Sequence, residues 1–250
     1  MRRFYVQPEF IKGNKIIITQ GQLRHLKDVL RLKKGAPVAV FDGKGNEYHG
    51  LITMIKPTET IVDVISKKFT LVKEVPYKVT LAQAVSKNIK MDLVVQKSTE
   101  LGVDSIIPLN AERSTVKLDQ QAALTRKKRW QRIAQEASRQ CARSVVPVIT
   151  DCLNIKEAVD ILKASDLKLF FCIDKEATVL RLILDKCGKS TVKDIAIFIG
   201  PEGDFSPREI VLAKENGWHL ASLGERVLRT ETAGLYVLSI LDYILGEQIR

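Results

Sequence analysis

The chain has 250 residues, 45% hydrophobic and 28% charged, which is enough apolar material for one large domain or two modest ones. No apolar run approaches the roughly 18 residues needed to span a bilayer, and the N-terminus lacks the long apolar segment of a secretory signal, so a cytoplasmic protein is expected. Four cysteines at 141, 152, 172 and 187 show no C-x-x-C spacing and the three histidines are scattered, which argues against a metal site and for buried free thiols.

In chain order, residues 1–70 read as short strands with turns. Lys15-Ile16-Ile17-Ile18-Thr19 is rich in β-branched residues, and Pro37-Val38-Ala39-Val40-Phe41 runs into Asp42-Gly43-Lys44-Gly45-Asn46, a strong hairpin signal. Further strands are expected at 47–55 and 60–65, with one helix between, marked by Leu23, Leu26, Val29 and Leu30. Regular short strands predict a small β-barrel, with a charged linker at 71–76.

From 77 to 250 strands alternate with helices. Strands are expected at 79–84, 104–109, 146–150, 167–173, 195–199 and 219–223. Helices are expected at 91–101, 120–143, 155–163, 177–187, 207–216 and 232–246. That alternation predicts an α/β domain with a mostly parallel sheet covered on both faces. The last helix is apolar around nearly its whole circumference, through Leu235, Tyr236, Val237, Leu238, Ile240, Leu241, Ile244 and Leu245. Such a helix needs cover on all sides, which a second subunit or an internal position would give.

The net charge of +11 is concentrated. Residues 1–75 hold 14 Lys/Arg against 7 Asp/Glu, and residues 114–143 hold 8 against 2, a footprint suited to a polyanion such as RNA. The helix at 120–143 carries an apolar stripe of Trp130, Ile133, Ala134, Ala137 and Cys141. Arg126, Lys127, Lys128, Arg129, Arg132, Arg139 and Arg143 crowd the rest, with Glu136 as the one internal partner. Arg139 and Arg143 share a helix face and are read as a phosphate clamp.

Two loops near the C-terminus carry the chemical signal. Gly200-Pro201-Glu202-Gly203-Asp204-Phe205-Ser206 follows one expected strand, and Leu223-Gly224-Glu225-Arg226-Val227-Leu228-Arg229-Thr230-Glu231-Thr232-Ala233 follows another. Ligands of open α/β sheets bind at the carboxyl ends of strands, so the two loops are expected to share one pocket. Neither is a Rossmann or Walker loop. A plain capping box, Ser206-Pro207-Arg208-Glu209, explains the end of the first loop but not the glycines around Glu202, which are read as allowing close backbone approach to a ligand.

Together these residues resemble the SPOUT-class RNA methyltransferases, and more narrowly the ribosomal RNA small subunit methyltransferase E family. The resemblance extends through Arg3 and Tyr5, Val29-Leu30-Arg31 with Gly35, Phe41-Asp42-Gly43, and Gln96-Lys97-Ser98-Thr99-Glu100-Leu101-Gly102-Val103. It continues through Pro108 with Glu112-Arg113-Ser114, and Gln140 with Arg143 and Pro147, and so spans nearly the whole chain. Two positions depart from the family, Asp204 and Ala142, where it usually has Gly.

The resemblance implies a PUA-like/OB-like RNA-binding barrel at 1–70 and a SPOUT methyltransferase domain with a deep trefoil knot at 77–250. It also implies a homodimer and transfer of a methyl group from S-adenosylmethionine to N3 of a uridine in the decoding region of 16S rRNA. S-adenosylhomocysteine would be the product, without a metal. The alternatives are a SPOUT enzyme acting on tRNA and a catalytically silent RNA-binding assembly factor. Cofactor-binding candidates are Cys172, Ile199, Gly200, Pro201, Glu202, Gly203, Leu223, Gly224, Val227, Leu228, Arg229, Thr232 and Ala233. Arg3 and Arg113 are candidates for a cation that stabilises a uracil anion, and Glu202 and Glu231 for the base. The basic segments supply the RNA-binding candidates Arg2, Arg3, Arg24, Arg31, Lys33, Arg113, Arg132, Arg139 and Arg143.

Overall fold

The computed structural model describes residues 1–69, 77–87, 89–187 and 192–246; the expected linker at 71–76 lies outside the described residues. The chain divides into two compact units. One comprises Met1–Val72 with Gln135–Val146, the other Lys73–Ala134 with Pro147–Arg250.

The first unit is built on six strands: β1 (Arg2–Tyr5), β2 (Ile11–Lys12), β3 (Lys15–Thr19), β4 (Pro37–Phe41), β5 (Asn46–Ile55) and β6 (Glu59–Phe69). Their order is β1-β4-β5-β6-β3-β2, with β1 parallel to β4 and the remaining pairs antiparallel. Alternation puts Ile16, Ile18, Val38, Val40 and Val62 into one core with Phe4, Leu26 and Ile52. The β4–β5 hairpin forms as its turn residues require. The Asp42 carboxylate accepts the backbone N–H groups of Lys44 (2.8 Å) and Asn46 (3.1 Å). Gly43 has φ +76, and a Cβ there would meet the Tyr5 ring at 3.0 Å and Val146 at 3.2 Å.

The expected helix over Leu23–Leu30 splits. A short α1 (Gln20–Arg24) passes into one wider turn at His25–Val29. Leu23 and Leu26 are buried, but Val29 is turned out to solvent. The wider turn breaks the 3.6-residue phase on which the sequence expectation rested.

Arg3 ties segment 135–146 to this sheet. Its Nε donates to Glu47 Oε2 (2.8 Å), Nη1 to the carbonyls of Ser138 and Arg143 (both 3.0 Å), and Nη2 to Ser144 Oγ (2.8 Å). The guanidinium also lies 4.1 Å from the centre of the Phe41 ring. Arg3, expected to serve catalysis and RNA binding, is thus engaged inside its own unit by four hydrogen bonds. Arg143 is only 7% exposed, and Arg139 pairs with Glu136 at 2.9 Å, so the expected phosphate clamp of Arg139 and Arg143 is not formed. Ala142 has φ +67. The departure from Gly falls on a left-handed position that costs a residue with a Cβ roughly 1–2 kcal/mol.

The second unit carries seven strands: β7 (Lys78–Ala84), β8 (Ser105–Leu109), β9 (Val148–Ile149), β10 (Leu167–Phe171), β11 (Thr178–Val179), β12 (Asp194–Ile199) and β13 (His219–Ser222). All their pairings are parallel, in the order β11-β13-β10-β12-β7-β8-β9. Six helices accompany them: α2 (Ile89–Glu100), α3 (Gln120–Gln140), α4 (Ile155–Ile161), α5 (Leu180–Lys186), α6 (Pro207–Glu215) and α7 (Thr230–Leu245). Ala82, Ala84, Ala196 and Phe198 face one side, where Ile155, Ala158 and Val159 of α4 and Ala213 of α6 close a core. Leu81 and Gln83 face the other, where Gly234 of α7 approaches them to within Cβ contact. The sheet is thus covered on both faces, as the strand-helix alternation predicts.

The apolar circumference of α7 is only partly buried here. Ala233, Val237, Leu238, Leu241 and Leu245 are interior, while Tyr243 is 79% and Tyr236 42% exposed. On α3, Trp130, Ala134 and Ala137 are buried as the stripe predicts. Its cations are better paired than the sequence suggests: Arg129 meets Asp92 at 2.6 Å and Lys127 meets Asp151 at 2.7 Å. The cysteines are free, but Cys172 alone is buried and the other three are half-buried.

Burial on its own would raise the Glu47 carboxyl, but hydrogen bonds from His49 and Arg3 outweigh it and hold the group below the usual carboxylate range. A carboxyl lowered by folding stabilises the native state above its unfolded pKa, and that contribution is lost as acid protonates it. Replacing Arg3 by Met should cost on the order of 3 kcal/mol in urea unfolding at pH 7 and less at acid pH. Equal losses at both pH values would show that the pair does not carry the effect.

Candidate functional site

A cavity of about 420 Å³ opens at the carboxyl ends of β10, β12 and β13. That volume falls in the range of small-molecule sites, and its place is the one where parallel α/β sheets bind ligands. Each wall continues a strand. Phe171 ends β10 and Cys172 follows it, Ile199 ends β12 and Gly200 to Glu202 follow it, and Ser222 ends β13 and Leu223 to Arg229 follow it. A second recess, of about 680 Å³, is lined from α2, Asp119 and α3 rather than from strand ends.

A buried hydrogen-bond chain holds the loop after β12. Gln83, at the end of β7, donates through Nε2 to Thr230 Oγ1 (2.8 Å), and that hydroxyl donates to the Gly200 carbonyl (2.6 Å). Phe205 anchors the same loop in the core, its ring centre 4.2 Å from that of Phe170. A Cβ at Gly200 would lie 3.1 Å from the Phe205 ring, so packing inside the protein also favours glycine there. Ser206 and Glu209 then form the expected capping box at the start of α6. Glu209 also accepts the Glu112 N–H at 2.8 Å, fastening the 111–113 segment to the same helix start. After β13, Gly224 has φ +103 with nothing within 4 Å of a Cβ, so there the backbone conformation itself calls for glycine.

Charge is arranged around the first loop. Lys90 Nζ lies 3.1 Å from Glu202 Oε1 and 3.4 Å from Glu231 Oε2. Burial works to raise the Glu202 carboxyl, but its own backbone N–H and Lys90 prevail and hold it below the usual range. Arg113 Nη1 donates to the carbonyls of Gly203 (3.2 Å) and Phe205 (3.3 Å), bracing the loop from outside. The Cys172 thiol is pushed up to about 12, first by burial and then by Asp204 and Asp174.

The sequence-marked cofactor residues converge on this cavity. Cys172, Ile199, Gly200, Pro201, Glu202, Leu223, Gly224, Val227, Leu228, Arg229 and Ala233 line it. Gly203 does not, since its Cα faces Arg113, and Thr232 is exposed on the first turn of α7. Arg113, Glu202 and Glu231 come together around the first loop, whereas Arg3 belongs to the other unit. Arg2, Arg24, Arg31, Lys33 and Arg132 are exposed. Sequence reasoning missed Gln83, Lys90 and Asp174, and marked Asp204 only as a departure from Gly beside the loop. Lys90 and Gln83 lie on elements more than a hundred residues before the loops they serve, and no local pattern marks them.

Replacing Thr230 by Val should break both bonds of the buried chain and leave Gln83 and the Gly200 carbonyl unpaired, lowering stability by about 1–3 kcal/mol. Thermal unfolding with an unchanged midpoint would mean that the loop is held by Phe205 alone.

Residues 73–242 match the RNA methyltransferase domain family, and residues 18–65 match the RNA methyltransferase PUA domain family. The Ribosomal RNA small subunit methyltransferase E of Bacillus subtilis is 29% identical, covering 97% of this chain and 96% of its own. The protein of that name from Synechocystis is 30% identical, covering 97% of this chain and 78% of its own. Among solved structures, a putative methyltransferase of Legionella pneumophila with bound SAM is 33% identical at TM-score 0.87, covering 96% of both chains. A Ribosomal RNA small subunit methyltransferase E from Neisseria gonorrhoeae bound to S-adenosyl methionine is 31% identical at TM-score 0.87, covering 98% of both. With a PUA domain before an α/β unit whose cavity sits between the two marked loops, the chain belongs to the ribosomal RNA small subunit methyltransferase E family of RNA methyltransferases.

Proposed function

We propose that this protein uses S-adenosylmethionine to methylate N3 of a uridine in the decoding region of 16S rRNA, with the small ribosomal subunit as substrate. The observation that carries the reading is the convergence of both marked loops on one cavity at three strand ends. The residues suit the cofactor. Leu223, Val227, Leu228 and Ala233 offer apolar and backbone surface for an adenine, and Asp174, Asp204 and Glu225 offer carboxylates for ribose hydroxyls and positive charge. When bound, the cofactor supplies an electrophilic methyl group on a sulfonium, and the protein's part is to position the acceptor and manage its proton.

Uridine N3 lies on the Watson–Crick edge, so the target must be unpaired or flipped out. It becomes nucleophilic only as its proton leaves. Lys90 and Arg113, which contact Glu202 and Gly203, would stabilise negative charge on the uracil carbonyls. Glu202 and Glu231, both paired with Lys90, and water are the candidates to accept that proton. Exposed basic residues of the PUA unit, Arg2, Arg24, Arg31 and Lys33, and Arg132 of α3 would hold flanking phosphates. The trefoil knot, the homodimer through α7 and the cytoplasmic location belong to the same reading. Exposed Tyr236 and Tyr243 of α7, with exposed Ile89 and Leu93 of α2, which packs on α7, support the dimer.

Mass spectrometry of 16S rRNA from a strain lacking the protein should show one methyluridine lost. Loss from tRNA instead would redirect the substrate, and no loss anywhere would favour a silent assembly factor. Binding to 30S subunits should weaken steeply between low and high salt, because several phosphates release counterions; a flat response would remove the electrostatic part. A variant with Ile240→Glu and Tyr243→Glu should sediment as a monomer and lose activity, whereas a wild-type monomer at micromolar concentration would remove the dimer.

A further inference from the structure

The carboxylate of Asp204 is placed unlike any other in the cofactor cavity. Its backbone is left-handed, φ +58, a conformation that short polar side chains tolerate better than most. Its N–H closes a turn on the Pro201 carbonyl at 2.9 Å. From there Oδ2 accepts the Ile173 N–H at 2.9 Å, so a side chain of the loop after β12 fastens the loop after β10. Oδ1 lies 3.4 Å from where a Cβ on Gly200 would stand, against the first residue of the cavity's own loop. Both loops are cavity walls.

Like Asp174 and Glu225 on the same cavity, Asp204 carries a charge that no cation pairs among the described residues. Glu202 is answered by Lys90, whereas no cationic side chain among the described residues lies within ion-pair distance of Asp204. The cations that line the cavity, Arg226 and Arg229, come from the opposite loop, after β13. The negative field is felt at the wall: the thiol of neighbouring Cys172, already resisted by burial, is pushed further from ionising by Asp204 and Asp174.

We propose that Asp204 sets the cofactor preference of this cavity, its carboxylate favouring the cationic sulfonium of S-adenosylmethionine over the neutral thioether of S-adenosylhomocysteine. This rests on the reading of the cavity as the S-adenosylmethionine site. Methyl transfer abolishes the sulfonium charge, so the same carboxylate that helps to hold the donor no longer holds the product. The bond to Ile173 is a separate contribution, which keeps the two walls in register whatever the ligand's charge.

Two variants separate charge from fastening. Asp204→Asn keeps an oxygen able to accept the Ile173 N–H and removes the charge; Asp204→Gly removes both and suits the left-handed backbone. Calorimetry with S-adenosylmethionine, S-adenosylhomocysteine and sinefungin, whose amine is cationic where the product is neutral, is the measurement. In Asp204→Asn the two cationic ligands should weaken on the order of fivefold while S-adenosylhomocysteine is unchanged. In Asp204→Gly the product should weaken as well. Equal weakening of all three ligands in Asp204→Asn, or no change in any, overturns the proposal while leaving the cofactor site in place. Failure of the wild-type protein to bind any of the three overturns the cofactor reading and this inference with it.

Discussion

The second unit turns on one hydroxyl. Thr230 Oγ1 takes a hydrogen bond from Gln83 and gives one to the Gly200 carbonyl, and so joins the end of β7, the loop after β12 and the first turn of α7 at a single buried atom. A buried polar group without a partner is costly, so each of these groups holds the others in place. The loop that forms one cavity wall cannot shift without breaking this bond, and α7 cannot move along the sheet without carrying the loop. Phe205 supplies the apolar half of the same constraint by packing on Phe170 beneath the loop.

Charge in this protein is arranged for construction as much as for binding. The sequence shows two basic segments and suggests cations waiting for phosphate. In the fold, Arg3 is consumed by Glu47 and the 138–144 backbone, Arg113 braces two carbonyls, and Arg129 and Lys127 find Asp92 and Asp151. The candidates left for RNA are those that remain exposed and distributed. A long planar guanidinium is well suited to both duties, and composition does not separate them.

Much of the fold is legible in the chain because its signals are local. Alternating β-branched runs mark β3, β4 and β12; Asp42 with Gly43 marks the hairpin; Ser206 with Glu209 marks the start of α6. The cavity wall is legible for a related reason: many of its residues sit in two short contiguous loops, and strand ends bring such loops together. What is hidden depends on closure over distance. Nothing near residue 3 announces the carbonyls of Ser138 and Arg143, and nothing near Gln83 announces Thr230. Lys90 reads as an ordinary helix-surface lysine until α2 is set beside the loops. Glycine misleads in the other direction. Gly200 reads as ligand-facing and lines the cavity but also clears space for a phenyl ring, while Ala142 and Asp204 stand in left-handed positions without being glycine.

The order of strands also governs how the chain reaches this state. The middle of the parallel sheet pairs β7 directly with β12, and Gln83 waits for a partner 147 residues further on. Local contacts form quickly, but pairings this distant must first meet the entropy of closing a very long loop. During synthesis β7 therefore emerges with an unpaired edge and stays so until nearly the whole chain has been made, shielded only by whatever α2 and β8 cover. The hairpins of the first unit have no such wait. They can settle while the ribosome is still translating the second, so the two sheets form in two stages, separated by the time needed to add well over half of the chain.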